Sequence, residues 1–173
     1  MGLRAFLNGK PVLAAVAGGL MVAVAVGSMV HYMNNVGPHR ITQVYFSTDD
    51  GKTWFADSVE KIPPFDHDGQ EADRVYLYHA ASGTPFIAYL QRYTKAGKRE
   101  AEKLWADAHA KADAAGGRVE VDQIALDGLT MNSAEVKKPG GTQWYQTSKA
   151  PAAVMRLDCP PGTDLGTVTQ YLP

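Results

Sequence analysis

Cysteine is nearly absent from this chain, with Cys159 alone. A single thiol excludes an internal disulfide framework and any multi-cysteine zinc site. Net charge is also missing: 17 Lys and Arg against 18 Asp and Glu leave −1 at pH 7. A general nucleic-acid binder carries a basic excess, so nucleic acid is not an expected partner. The histidines at 31, 39, 67, 79 and 109 include no pair at the i, i+3 or i, i+4 spacing of a helical metal site. Phosphate-loop, dinucleotide and haem-attachment motifs are lacking, so no cofactor is implied. Cys159 is followed by Pro160 and Pro161, which forbids a nucleophile placed directly before a helix. No catalytic set emerges, and no repeat of useful length appears.

Charge is missing locally as well. From Pro11 to Met33 no residue is charged. A helix over that stretch, at ~1.5 Å per residue, spans about 34 Å against a bilayer core of roughly 30 Å. The expectation is a transmembrane helix over 11–33 after a cytoplasmic N-terminus of 1–10. Arg4 and Lys10 precede the run and the next basic residue is Arg40. The positive-inside rule then leaves residues 34–173 outside the cytoplasm, anchored in the inner membrane. The competing reading is a cleaved signal peptide, with Ala25-Val26-Gly27 as the small-residue site. The apolar run is longer than the usual 7–15 residues of such a segment. Ala15, Gly19, Ala23 and Gly27 repeat every fourth residue, a spacing that suits helix–helix contact and self-association. An alanine-rich span also produces it without function.

After a linker at 34–40, residues 41–173 read as one α+β domain of antiparallel strand pairs carrying a long amphipathic helix. Residues 42–47 and 52–55 flank Asp50-Gly51, a hairpin signal. Pro63-Pro64 breaks 59–65, and 66–69 reads as a turn. Residues 74–79 and 85–90 form a second hairpin pair. Thr94 caps a helix whose apolar stripe is Ala101, Leu104, Trp105, Ala108, Ala112 and Ala115. Gly116-Gly117 stops it. A short strand is expected at 118–122, a third hairpin from 134–138 and 143–147, and a helical turn or two within 150–157. Regular structure is expected to end at 159–162.

Two segments have candidate chemistry. Ser47-Thr48-Asp49-Asp50-Gly51-Lys52-Thr53-Trp54 resembles the Asp-box of sialidases and related propellers. Its physical content is a turn in which Asp49 accepts backbone N–H groups. One copy in a domain of this size implies a hairpin and no glycosidase. Asp66, Asp68, Glu71 and Asp73 form the densest acidic stretch and offer oxygen ligands for calcium or a glycan. The stretch lacks the EF-hand order, and a solvated loop is the simpler reading. Trp54, Tyr89, Tyr93, Trp144 and Tyr145 are candidate partner-binding aromatics, with the core of a small sheet as the alternative.

Several segments together carry a family resemblance. They are Arg4-Ala5-Phe6-Leu7-Asn8 before Lys10-Pro11, Tyr45 through Asp57, Lys61 through Gly69, Gly83-Thr84-Pro85-Phe86 leading to Tyr89 through Tyr93, and Lys137-Lys138-Pro139-Gly140 with a closing Cys-Pro. On these the chain resembles a group of uncharacterised single-pass membrane-anchored proteins of planctomycete-type bacteria. The resemblance implies one transmembrane helix and an extracytoplasmic domain, and it transfers no functional residue. It also implies a second cysteine near 74–83, where this chain has His79 and Ala80, so Cys159 is left without an intramolecular partner. The functional expectation is an envelope scaffold or accessory subunit with a protein partner. A calcium- or glycan-binding module using loops 49–73 is the alternative.

Overall fold

The structure is a computed structural model that describes residue 19 and residues 21–31, 41–80 and 83–173. The chain divides into two units, Met1–Arg40 and Ile41–Pro173. In the first, Gly19 and residues 21–31 are helical and exposed. Among the described residues no helix is long and apolar enough to cross a membrane. The expected span of 11–33 lies partly outside them, as does Ala15 of the four-residue repeat. Gly19, Ala23 and Gly27 are helical and exposed.

The second unit is α+β. Its strands are β1 (Gln43–Ser47), β2 (Phe55–Ser58), β3 (Phe65–His67), β4 (Gln70–His79), β5 (Phe86–Tyr93), β6 (Ala134–Lys137), β7 (Tyr145–Gln146) and β8 (Thr169–Gln170). All pairings are antiparallel, in the order β2-β1-β4-β5-β6-β7, with β3 and β8 also on β4. Helices α1 (Lys95–Ala115) and α2 (Gln123–Ser133) follow β5, and a short α3 (Ala152–Met155) follows β7.

Local chemistry explains most of these elements. The Thr94 hydroxyl accepts from the Gly97 N–H and starts α1. Gly116, at φ 61°, ends it in the left-handed region that glycine tolerates. Along α1, Ala101, Trp105, Ala108 and Ala112 are buried. Leu104 is half-buried and Ala115 is exposed. Trp105, Ala101, Tyr93, Ala134 and Ile62 form one core cluster. Val44, Phe46 and Ala72 form another, backed by Phe55 and Phe65.

Four expectations are corrected. The second strand of the first hairpin runs over Phe55–Ser58 rather than 52–55, because Thr53 is held in the turn by Asp49. Strand β4 begins at Gln70 and pairs with β3 around a tight turn at Asp68-Gly69, both with positive φ. Residues 118–122 form no strand. Val119 and Val121 pack on the core as an extended segment, and Asp122 caps α2 by accepting from the Ala125 N–H. Regular structure also continues past 162: β8 pairs with Tyr78 and His79, and the Tyr171 N–H donates to the Leu77 carbonyl at 2.8 Å.

Candidate functional site

The β1–β2 turn makes its own network. The Gly51 N–H donates to Ser47 Oγ at 2.8 Å, and Ser47 Oγ donates to Asp49 Oδ1 at 2.8 Å. The Thr53 N–H reaches Asp49 Oδ1 at 2.9 Å, and its hydroxyl reaches Oδ2 at 2.7 Å. The Thr53 N–H, then its hydroxyl, pull the Asp49 carboxyl down to about 2. Asp50 (φ 63°) and Gly51 (φ 84°) reverse the chain. A Cβ on Gly51 would lie 2.8 Å from Ile87 Cδ1, so the turn presses onto the sheet.

From that turn Asp50 reaches the β6–β7 connection. Its Oδ2 accepts from the Gly140 N–H at 2.7 Å, and its Oδ1 pairs with Lys137 Nζ at 2.7 Å. Burial opposes ionisation of Asp50, but the Lys137 ammonium and the Gly140 N–H hold its carboxyl below the usual range. Arg92 pairs with Glu135 at 3.1 Å, its register partner across β5 and β6. Trp144 takes both cations on its ring, with Arg92 at 4.1 Å and Lys137 at 5.0 Å from the centroid. Asp73, on β4 opposite Ser47, completes the group. Its carboxyl is pushed up to about 6 by burial, against the pull of Arg92 and Lys137. Three strands and two turns thus gather Asp50, Asp73, Arg92, Glu135, Lys137 and Trp144 on one face. Asp73 is the carboxyl of this group that burial holds toward its neutral form.

Sequence reasoning singled out Asp73 and Trp144 from this group and missed the rest. The available signal was charged residues at alternate strand positions, Arg92 on β5 and Glu135 and Lys137 on β6.

The acidic stretch is the β3–β4 hairpin. Asp66 and Glu71 are register partners on β3 and β4, and the Asp68 side chain is almost wholly exposed at the turn between them. Asp66 Oδ1 accepts from the Gly69 N–H. Among the described residues no three His, Cys, Asp or Glu side chains are grouped to hold a metal. Asp66, Asp68, Glu71 and Asp73 are thus spread along the β3–β4 hairpin and are not drawn into one ligand group.

The five aromatics do not share a surface. Tyr93 is 7% exposed, in the core, with its hydroxyl 2.6 Å from Thr130 Oγ1. It is therefore corrected from a binding handle to a packing residue. Tyr89 stacks on Tyr76 at 4.5 Å, and burial raises its hydroxyl pKa. Trp144 is covered by its two cations. The Tyr145 hydroxyl donates to Gln143 Oε1. Trp54 is the most open of the five, 38% exposed. Larger apolar exposure lies elsewhere, at Ile124 (87%) and Met131 on α2, a helix with no buried residue. Leu104 and Leu129 line a groove between α1 and α2 beside that helix. Cys159 is a half-buried free thiol.

No family model, curated protein or solved structure matches the chain.

Proposed function

We propose that the chain is a membrane-anchored envelope protein of the group it resembles, whose domain outside the cytoplasm binds another envelope component. The uncharged run 11–33 is the anchor, with the N-terminus in the cytoplasm. The observation that carries the reading is the apolar surface of residues 21–31. Met21, Val22, Val24, Val26, Met29 and Val30 are each more than half exposed on a helix. Water solvates such a surface at a cost of roughly 25 cal/mol per Å², and a hydrocarbon layer removes that cost. The binding role draws support from Ile124 and Met131, large apolar side chains turned outward on α2.

The test begins with membranes from the protein's own cells, washed with alkaline carbonate. The chain should remain in the pellet, with an intact mass that includes residues 1–27. Protease added outside spheroplasts should digest 41–173 and spare an N-terminal tag. A carbonate-soluble chain, or a mass that begins after Gly27, would overturn the anchor. For the binding role, a stoichiometric companion retained in mild detergent should be lost on Ile124→Asp while the thermal transition is kept. A chain that runs alone, or a companion indifferent to that change, would overturn it.

A further inference from the structure

The charges beneath the Asp50 turn do not balance. Two cations, Arg92 and Lys137, meet three carboxylates, Asp50, Asp73 and Glu135. Lys137 pairs with Asp50 at 2.7 Å and also donates to the Gly141 carbonyl at 3.4 Å, and Arg92 pairs with Glu135 at 3.1 Å. Register places Asp73 beside Arg92, one step beyond the Arg74–Gln91 pair. The Asp73 carboxylate has no hydrogen bond and no ion pair among the described residues, although both cations attract it. Ser47, opposite it on β1, is 2% exposed and has its hydroxyl committed to the turn. Asp73 is thus a half-buried acid with no partner of its own, beside two cations that already have theirs.

We propose that Asp73 is a proton-operated switch on the clamp that joins the β1–β2 turn to the β6–β7 connection. With the proton on, Asp50 is the one ionised carboxylate of the group that draws on Lys137, and Glu135 the one that draws on Arg92. Asp50 then holds both Lys137 and the Gly140 N–H, and the two turns are locked across the sheet. With the proton off, a third negative charge draws on the same two cations. The Asp50–Lys137 pair weakens, and the Gly140 N–H loses an oriented acceptor.

Besides Arg92 and Lys137, the charges that act on Asp73 are the carboxylates of Glu71 and Asp50, both of which oppose its ionisation. Glu71 on β4 adds negative charge, and Asp66 on β3 lies opposite Glu71. Lys52, in the turn itself, acts on Asp50. Lys138 is turned away to Asp158 at 2.8 Å. Strand β1 contributes no charged residue. The Asp73 carboxyl, raised to about 6 by burial, puts the change within ordinary pH variation. This inference does not depend on the anchor or on a partner.

The test is hydrogen exchange on the full-length chain in mild detergent, at pH 5 and pH 7.5. Rates are corrected for the base-catalysed intrinsic exchange of free amides. Protection of the Gly140 N–H should fall about tenfold at the higher pH, and that of the Leu90 amide in the sheet should fall less. Asp73→Asn should remove the difference. A second readout needs no variant: the side-chain carboxyl carbon of Asp73 should titrate near 6 in the wild-type chain. Equal Gly140 protection at both pH values would overturn the proposal. So would a pH effect that survives Asp73→Asn, or a carboxyl that titrates in the ordinary carboxylate range.

Discussion

Replacing Asp73 by asparagine tests the electrostatics of the sheet face through stability alone. Asparagine keeps the shape and cannot ionise. In the folded chain the Asp73 carboxyl is raised from 3.8 to about 6. Between those values the folded state binds more protons than the unfolded state. Linkage then makes stability fall as pH rises through that window. The contribution is fully present below 3.8 and fully lost above about 6. Two units at about 1.4 kcal/mol each give close to 3 kcal/mol. Asp73 is not fully buried, so solvent screening reduces this to roughly 2 kcal/mol. The Asp73→Asn variant escapes the fall. It should therefore gain about 2 kcal/mol on wild type between pH 4 and pH 7, whatever its constant offset. Urea unfolding at several pH values measures the difference. A difference that stays flat across the window, or that shrinks toward pH 7, would refute the reasoning.

Two glycines in helices should respond with opposite signs to the same change. A Cβ on Gly97 would meet Ser133 Cβ at 2.5 Å and its carbonyl oxygen at 2.9 Å. Gly97→Ala should therefore cost about 1–2 kcal/mol in a melt, crowding outweighing the helix preference for alanine. Gly128 has nothing within 4 Å of its would-be Cβ, so Gly128→Ala should stabilise by up to about 1 kcal/mol. Tyr93→Phe deletes the 2.6 Å contact with Thr130 and leaves the Thr130 hydroxyl donating to the Leu126 carbonyl. Chemical unfolding should show a loss of about 1 kcal/mol, and a loss above roughly 3 kcal/mol would mean that α2 detaches.

What could be read from the sequence was what neighbouring residues decide among themselves. The β1–β2 turn was legible because the bonds that Ser47 and Asp49 make in it all join residues between Ser47 and Thr53. Helix α1 was legible because its stripe, its Thr94 cap and its Gly116 stop all follow from local spacing. Helix α2 was not. Its apolar residues at 124, 126, 129 and 131 make no single helical stripe, and Gly128 interrupts it. It is held by contacts from afar, the Tyr93 hydroxyl on Thr130 and the Thr94 N–H on the Ser133 carbonyl.

The Asp73 group was hidden for a related reason. Taken singly, Arg92, Glu135 and Lys137 read as charges on a solvated strand face. Only the order β1-β4-β5-β6 sets them side by side, and strand order is not written in any one segment. A carboxylate's partner within its own turn follows from spacing, as Thr53 does for Asp49. The lack of a partner for Asp73 follows from the register of four strands. A local motif therefore marks where the chain is held, and the sheet's register decides where it has been left able to respond.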